Sequence, residues 1–220
     1  MASASAGSWW TALRPTPAVP EATRDLRLPP AHDIPGGYFW SLAFDPGVTT
    51  GWCVVRVPRL KLVREGFLEA MRPTEHGGGG CWNAGEFTGG DDWAVDTMLD
   101  ITRAVYQDVD ESAGDQWMIL VEDFVVRRVQ MDRAFLSPVR LGAMYRRDMR
   151  NAPVLVDFRM SSDAMNVVTD GRLRDWNMYR AGSVHARDAQ RHAIMSCRRY
   201  SSEPALRELV AKKMAFEAAA

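Results

Sequence analysis

The chain has 220 residues, 46% of them hydrophobic, and a formal net charge of −1. It is therefore long enough to bury the core of one domain without disulfides, and its overall charge does not mark a nucleic-acid binder. Its three cysteines form no CxxC pair, which argues against a structural zinc site and is typical of a reducing, intracellular compartment such as the cytoplasm. No apolar run reaches the roughly 18 residues of a membrane span, and the N-terminus lacks the apolar stretch of a secretory signal.

The first 37 residues are rich in proline. Six of them are proline, a residue that fixes φ, removes a backbone donor and so resists both helix and sheet. We therefore predict that residues 1–37 are a tail, or an arm laid over the fold, and that the folded domain spans residues 38–220.

The folded part is predicted to begin with a β-hairpin. Tyr38–Phe44 is an aromatic and apolar run typical of a buried strand, and it ends at Asp45. The Pro46-Gly47 pair that follows forces a turn, and Gly51–Val57 is predicted as the second strand. Leu62–Ala70 is a candidate third strand.

A glycine-rich stretch, a helix and a strand are predicted next. Residues 74–92, with four consecutive glycines at 77–80, are expected to form an exposed and mobile loop. Trp93–Val109 carries apolar residues at helical spacing. Met118–Val126 is a short apolar run of the buried-strand type that two acids interrupt.

The remaining chain alternates between helices and strands. The pattern predicts a basic helix at Pro138–Arg150, a strand at Val154–Phe158, a helix within Ser161–Ala181, and helices at Val184–Tyr200 and Pro204–Ala219. Hairpin strands followed by this alternation predict an α/β fold, with a mixed sheet flanked by helices on both faces.

Charged residues are unevenly distributed along the chain. Residues 81–116 hold nine acids and one base, whereas residues 124–150 and 171–199 each hold seven arginines against two aspartates. The basic segments either form a face for phosphates or are ordinary solvated helix surfaces, and the sequence leaves both alternatives open.

Acids stand at three positions where burial alone would not place them. Asp45 ends an apolar strand, Glu122 lies inside another, and His185 and Asp188 share a helix face near its N-terminus. Each has an ordinary alternative: a turn former, a buried salt bridge and a surface pair. Together, carboxylates from two neighbouring strands and one helix suit a hard cation such as Mg²⁺, and two such ions support phosphodiester cleavage.

Three motifs resemble those of the RuvC-type Holliday-junction resolvases, which belong to the RNase H-like superfamily. They are Phe44–Trp52, with Asp-Pro-Gly after the first strand, Ile119–Phe124, with the acidic strand residue, and Val184–Ala189, with the His-x-x-Asp of the late helix. The resemblance extends over roughly residues 38–200. It implies an RNase H-like fold, dependence on Mg²⁺ or Mn²⁺, and paired nicks across a four-way DNA junction made by a homodimer.

The resemblance also implies the site residues. Asp45, Glu122, His185 and Asp188 are expected to be the metal-binding and catalytic set. In it Asp45 is shared by two cations, Glu122 holds one of them and Asp188 the other. His185 is expected to complete the second cation site, to position the attacking water, or to make a phosphate or structural contact. His192, one helical turn after Asp188, is expected to be structural or to contact phosphate.

The predicted DNA contacts follow the acidic strand. The candidates for contacts to the DNA backbone are Arg127, Arg128, Arg140, Arg146, Arg147 and Arg187. Phe124 or Tyr145 is expected either to stack on an exposed base or to pack in the core. Bacterial family members carry an aromatic three residues after the acid, whereas Phe124 stands at two. The closer resemblance, carried by Arg172–Asn177 and the helix after it, is to divergent resolvases of bacteriophages.

Other functions stay open at this point. Asp45–Gly51 imitates the first phosphate loop of an actin-like ATPase or sugar kinase, although the second phosphate motif and the adenosine-binding segment of such folds are missing. A P-loop and a GxGxxG are absent as well. A DNA-binding or phage structural protein that keeps the fold without activity is the non-enzymatic alternative. A nuclease for replication forks, flaps or RNA is the alternative within the same fold.

Overall fold

A computed structural model describes residues 34–73, 78–124, 133–160, 162–179 and 183–215. The strands are β1 (Tyr38–Asp45), β2 (Thr49–Pro58), β3 (Gly80–Thr88), β4 (Gln116–Glu122) and β5 (Leu155–Arg159). They form one sheet in the order β3-β2-β1-β4-β5. The division of the chain at residue 37 stays a prediction.

Eight helices lie in the described ranges. They are α1 (Arg59–Arg64), α2 (Phe67–Met71), α3 (Asp91–Asp108), α4 (Arg133–Asp148), α5 (Ser162–Val167), α6 (Asp170–Asp175), α7 (Val184–Ser202) and α8 (Pro204–Ala215). None of those helices has the length and hydrophobicity that a membrane span requires.

Strand directions in the sheet follow from the connections. β1 and β2 form an antiparallel hairpin closed by a short turn, in which the Thr50 hydroxyl donates to the Gly47 carbonyl at 3.2 Å. β2 continues antiparallel to β3, whereas β1, β4 and β5 run parallel. Parallel neighbours require long crossovers, and α3 and α4 lie in those two crossovers. The mixed sheet predicted from the order of elements is present.

Helices cover both faces of the sheet. Phe39 of β1 stacks on Tyr200 of α7, with ring centroids 4.0 Å apart. Phe44, on the opposite face by strand alternation, meets Tyr145 of α4 at 5.5 Å, and Thr102 of α3 is hydrogen-bonded to the same tyrosine. The predicted α/β class, a mixed sheet flanked by helices on both faces, is confirmed.

The central strands hold the middle of the core. All eight residues of β1 and six of the seven residues of β4 are buried. A strand covered on both faces is apolar almost without interruption, which explains the long apolar runs in these two segments. It also makes the acids at their ends, Asp45 and Glu122, exceptional.

The prediction of a third strand at Leu62–Ala70 was wrong. This stretch lies in two short helices, α1 and α2, with Leu62, Phe67, Ala70 and Met71 buried. A short apolar run is compatible with either period, and here the backbone turns away from the sheet. The Ser201 hydroxyl of α7 donates to the Leu62 carbonyl at 2.8 Å, which fixes α1 against α7.

The prediction of an exposed loop across residues 74–92 was wrong over most of its length. Gly80–Thr88 forms the edge strand β3, with Cys81, Ala84 and Phe87 buried, and α3 begins at Asp91. This strand is held by backbone pairing with β2. Because that pairing does not depend on side chains, the glycine-rich composition of the segment does not indicate a strand. Residues 74–77 lie outside the described ranges.

The other predicted elements are present with shifted ends. β4 ends at Glu122, and the predicted continuation to Val126 falls partly outside the described ranges. The single helix predicted within 161–181 is two short ones, and the Thr169 hydroxyl accepts from the Arg172 amide at the start of the second. Because threonine caps helices well, a new helix begins there.

Candidate active site

The predicted site residues meet in one cavity at the carboxyl ends of β1 and β4. Asp45 and Glu122 are the last residues of β1 and β4. These are parallel neighbours, so their carboxyl ends lie side by side. His185 and Asp188 come from the start of α7, which packs over β1 and β2. All four line a cavity of about 210 Å³, together with Ala164, Met165, Arg191 and His192.

Asp45 is the most strongly perturbed group in the cavity. Only 7% of the residue is exposed. Burial, a hydrogen bond with Glu122 and repulsion from the carboxylates of Glu122, Asp188 and Glu86 raise the pKa of Asp45 to about 9. Its Oδ2 lies 3.0 Å from Nδ1 of His185. Three further acids thus act on Asp45, and a bound cation would relieve their repulsion.

Glu122 is held by a histidine on α7. Its Oε2 lies 3.2 Å from Nε2 of His192, and both side chains are buried. His192 stands one helical turn after Asp188, so the same face of α7 carries Asp188, which lines the cavity, and His192, which contacts Glu122. Of the two roles expected for His192, its burial fits the structural one. The imidazole fixes the orientation of the Glu122 carboxylate.

Asp188 is paired with an arginine that sequence inspection did not select. Arg191, one turn along α7, binds Asp188 with one guanidinium nitrogen and Asp170 of α6 with another. Its Nε donates to the carbonyl of Val168 at 3.1 Å. The Arg191 side chain is only 13% exposed, and its two ion pairs both compensate Asp188 and tie α7 to α6. The i, i+3 spacing to Asp188 was the signal for this pair.

Glu86 is a further acid at the site that sequence inspection missed. It belongs to β3, in the stretch predicted to be a loop. Its Oε1 accepts a hydrogen bond from the backbone amide of Ala186 at 3.0 Å. No local pattern marks it, because its position depends on the pairing of β3 with β2.

The donor set fits a hard divalent cation. Asp45, Glu122 and Asp188 offer carboxylate oxygens, which Mg²⁺ and Mn²⁺ prefer, and His185 adds an imidazole nitrogen. Within the described ranges no three such side chains are already arranged as ligands around one point. Each is instead engaged with a neighbour. The chemistry of the donor set therefore fits the cation, and the side chains are held in place by their neighbours.

The structure does not bring the α4 arginines to the acids. α4 lies on the sheet face opposite to α7. There Arg140 forms an ion pair with Asp91 at 3.0 Å, Arg146 lies 3.8 Å from the ring centre of Phe158, and Arg147 pairs with the aspartate next to it. Arg146 and Arg147 line a separate groove of about 960 Å³ beside β5.

The other predicted DNA contacts are placed differently. Arg187 stands on α7 between the two predicted site residues of that helix. Phe124 follows β4 by two residues and is 38% exposed. Tyr145 is fully buried and hydrogen-bonded, so it belongs to the core. Arg127 and Arg128 lie outside the described ranges.

Comparisons with known proteins find similarity among solved structures. No protein-family model matches the chain, and no curated protein does. Thermus thermophilus RuvC in complex with a Holliday junction substrate is 12% identical, with 74% of this chain and 96% of that chain covered and a TM-score of 0.47. A second Thermus thermophilus RuvC structure is 13% identical, with 73% and 94% covered and a TM-score of 0.46. Matches at these identities and TM-scores say nothing of activity.

Proposed function

We propose that this protein is a metal-dependent endodeoxyribonuclease of the RuvC type that cleaves branched DNA, with four-way junctions as its main substrate. One observation carries the proposal. Three carboxylates from β1, β4 and α7 meet in one cavity, where burial first, and the neighbouring acids next, raise the pKa of Asp45 to about 9. Buried carboxylates without a compensating positive charge destabilise a fold. A cation site, by contrast, needs carboxylates that lie close together.

The protein's own residues divide the work. Asp45, Glu122 and Asp188 would hold Mg²⁺ or Mn²⁺, with Asp45 between the other two. When bound, such ions polarise a phosphodiester and acidify water. The protein itself has to hold the carboxylates in position. His192 does this through its contact with Glu122, and Arg191 through its ion pair with Asp188.

His185 is assigned the handling of water. Its Nδ1 faces the Asp45 carboxylate at 3.0 Å, and its side chain is 47% exposed. A carboxylate at one ring nitrogen fixes the orientation and the tautomer of the ring, which leaves the other nitrogen to face the cavity. We therefore assign to Nε2 the positioning of the attacking water and the acceptance of its proton. Of the alternatives open from the sequence, this one agrees best with the contact to Asp45.

DNA binding is proposed around the mouth of this cavity. Arg187 on α7 and the half-exposed ring of Phe124 after β4 flank the acids in the chain. Arg127 and Arg128 follow Phe124 and stay candidates from the sequence. Arginine suits phosphate through paired hydrogen bonds, and an exposed ring suits a base unstacked at a branch point. A homodimer would present two such cavities to the two strands that a junction resolvase nicks.

The test is cleavage of a labelled four-way junction beside duplex, flap and single-stranded DNA, with Mg²⁺ and with EDTA. The proteins compared are wild type, Asp45→Asn and Asp96→Asn, the last removing an exposed acid of α3. We expect symmetric Mg²⁺-dependent nicks near the junction centre from wild type and Asp96→Asn. Asp45→Asn should cleave nothing yet bind the junction at least as well, because the neutral asparagine never places a negative charge beside the phosphate.

Each other outcome has a definite meaning. Equal cleavage of flaps and junctions keeps the nuclease and removes the junction preference. Loss of binding together with cleavage in Asp45→Asn would show that Asp45 serves folding. Absence of cleavage of every substrate, in Mg²⁺ and in Mn²⁺, would overturn the proposal in favour of an inactive DNA-binding protein.

A further inference from the structure

Three residues stand side by side across the first three strands. Asp45 of β1 is opposite Gly51 of β2, and Gly51 is opposite Glu86 of β3. Directly opposite residues point to the same face of a sheet. The two carboxylates therefore stand on either side of a position that has no side chain.

The first turn of α7 occupies that position. A Cβ placed on Gly51 would come within 2.1 Å of the carbonyl carbon and oxygen of His185 and 2.6 Å of the Ala186 nitrogen. Such distances are impossible for real atoms, so the helix backbone rests directly on the glycine. The start of α7 lies between Asp45 on one side and Glu86 on the other.

Both carboxylates bind this turn. Asp45 lies 3.0 Å from the ring of His185, and Glu86 accepts from the Ala186 amide at 3.0 Å. Although partial burial acts to raise it, the pKa of Glu86 is lowered by hydrogen bonds from the Ser183 hydroxyl and from the amides of Ala186 and His185. Glu86 thus accepts from several donors at the start of one helix.

α7 lacks the usual means of satisfying those donors itself. The Ser183 side chain, at the N-cap position, makes no capping hydrogen bond to the helix, and the first turn contains no acid. The first amides of a helix need acceptors, and the positive end of its dipole favours a carboxylate. Glu86 supplies both from a neighbouring strand.

We propose that Glu86 is a positioning residue that caps α7 from β3 and so sets the placement of His185 and Asp188 relative to Asp45. Its consequence for catalysis rests on the proposed nuclease function. A ligand set split between a sheet and a helix needs a fixed separation between the two, because small displacements of catalytic groups are costly. Gly51 allows the start of α7 to lie close to the sheet, and Glu86 fixes the position of α7 along the helix axis.

The first measurement is hydrogen–deuterium exchange of peptides that cover 183–188, on the full chain without metal. The variants are Glu86→Ala, Glu86→Gln and Glu208→Ala, the last removing an exposed acid of α8. We expect exchange in this turn to rise about fivefold to tenfold in Glu86→Ala, the size of a lost cap. Glu86→Gln keeps an acceptor oxygen at the same reach and should stay near wild type, as should Glu208→Ala.

The second measurement is junction cleavage by the same variants at saturating DNA. Glu86→Ala should lower kcat about tenfold or more with little change in KM for DNA, and Glu86→Gln should restore most of it. Unchanged exchange in Glu86→Ala would overturn the positioning role. If that variant fails to fold, Glu86→Gln decides, because exchange of the turn that rises in it as well contradicts an acceptor role.

The two measurements separate the two proposals. The expected exchange pattern with no cleavage by any variant would leave the cap intact and sink the nuclease. Cleavage by wild type and Glu86→Ala alike, with unchanged exchange, would leave the nuclease intact and remove Glu86 from its positioning role.

Discussion

Asp45 and Glu122 end neighbouring parallel strands with their carboxyl groups hydrogen-bonded to one another. Two carboxyl groups bond in this way only when one of them carries a proton. The raised pKa of Asp45, due to burial first and to its acidic neighbours next, is the electrostatic counterpart of that contact. Asp45 therefore carries a proton at neutral pH, which has consequences for stability.

The first prediction concerns the pH dependence of the metal-free protein. The pKa of Asp45 rises on folding from 3.8 to about 9, so the folded state holds a proton that the unfolded chain releases above pH 3.8. Stability contributed by this group is present at low pH and is lost as pH rises through that interval. We expect a lower melting temperature at about pH 8 than at about pH 5, measured in EDTA.

Asparagine at this position isolates the effect. Asp45→Asn cannot ionise, so its melting temperature should exceed that of wild type at about pH 8 and depend less on pH. Asp96→Asn, at an exposed position of α3, should keep the wild-type slope. Identical slopes in wild type and Asp45→Asn would contradict a raised pKa. Mg²⁺ should stabilise wild type more at the higher pH, because its binding displaces the proton.

The second prediction concerns the histidine behind Glu122. His192 is buried and contacts Glu122 at 3.2 Å, so its loss frees the carboxylate to rotate. Outer partners of metal ligands are typically worth about 10- to 100-fold in metal affinity. We expect His192→Phe to weaken Mn²⁺ binding by about that factor, measured by calorimetry. His192→Gln keeps a hydrogen-bonding group and should lose less. Equal affinities in wild type and His192→Phe would assign His192 to packing alone.

The third prediction concerns the arginine that ties α7 to α6. Arg191 binds Asp188 and Asp170 and is mostly buried. Arg191→Ala leaves two acids without their partner and should lower the free energy of unfolding by about 2 kcal/mol in urea titrations. Arg191→Lys should not recover it, because one ammonium cannot reproduce a fork.

The control for this prediction is on the same helix. Arg198 is exposed, so Arg198→Ala should change stability by no more than about 0.5 kcal/mol. A loss of the same size in Arg198→Ala and Arg191→Ala would show that general charge, and not the contacts with Asp188 and Asp170, stabilises α7.

Sequence patterns revealed the parts of the site that depend on local order. An acid that ends a buried strand, as Asp45 does, or a His-x-x-Asp pair at the start of a helix is visible in a few consecutive residues. Glu86, the contact of His192 with Glu122 and the contact of Arg191 with Asp170 depend on which strands and helices meet. In particular, β3 contains glycines that resemble a loop until its pairing with β2 is known. These parts of the site are therefore determined by contacts between segments that are distant in the sequence, which local patterns do not reveal.

The fourth prediction tests that register at Gly51. Alanine there would place a methyl group 2.1 Å from the His185 backbone, and backbone on both sides cannot yield as a flexible side chain would. We expect Gly51→Ala to cost about 1–3 kcal/mol of unfolding free energy and to abolish junction cleavage by lifting the start of α7 from the sheet. Gly142→Ala is the matched control. Its added methyl group meets only Phe158, at 3.9 Å, within a helix.

Because alanine favours helices over glycine, Gly142→Ala should gain up to about 1 kcal/mol and leave cleavage unchanged. Unfolding by urea and single-turnover cleavage together distinguish displacement of α7 from general destabilisation. If Gly51→Ala is assayed at a temperature where it remains fully folded and still cleaves at the wild-type rate, the close approach of α7 to β2 is not needed for the site. Loss of cleavage under those conditions, with the sheet intact, would show that cleavage requires the close packing of α7 on β2.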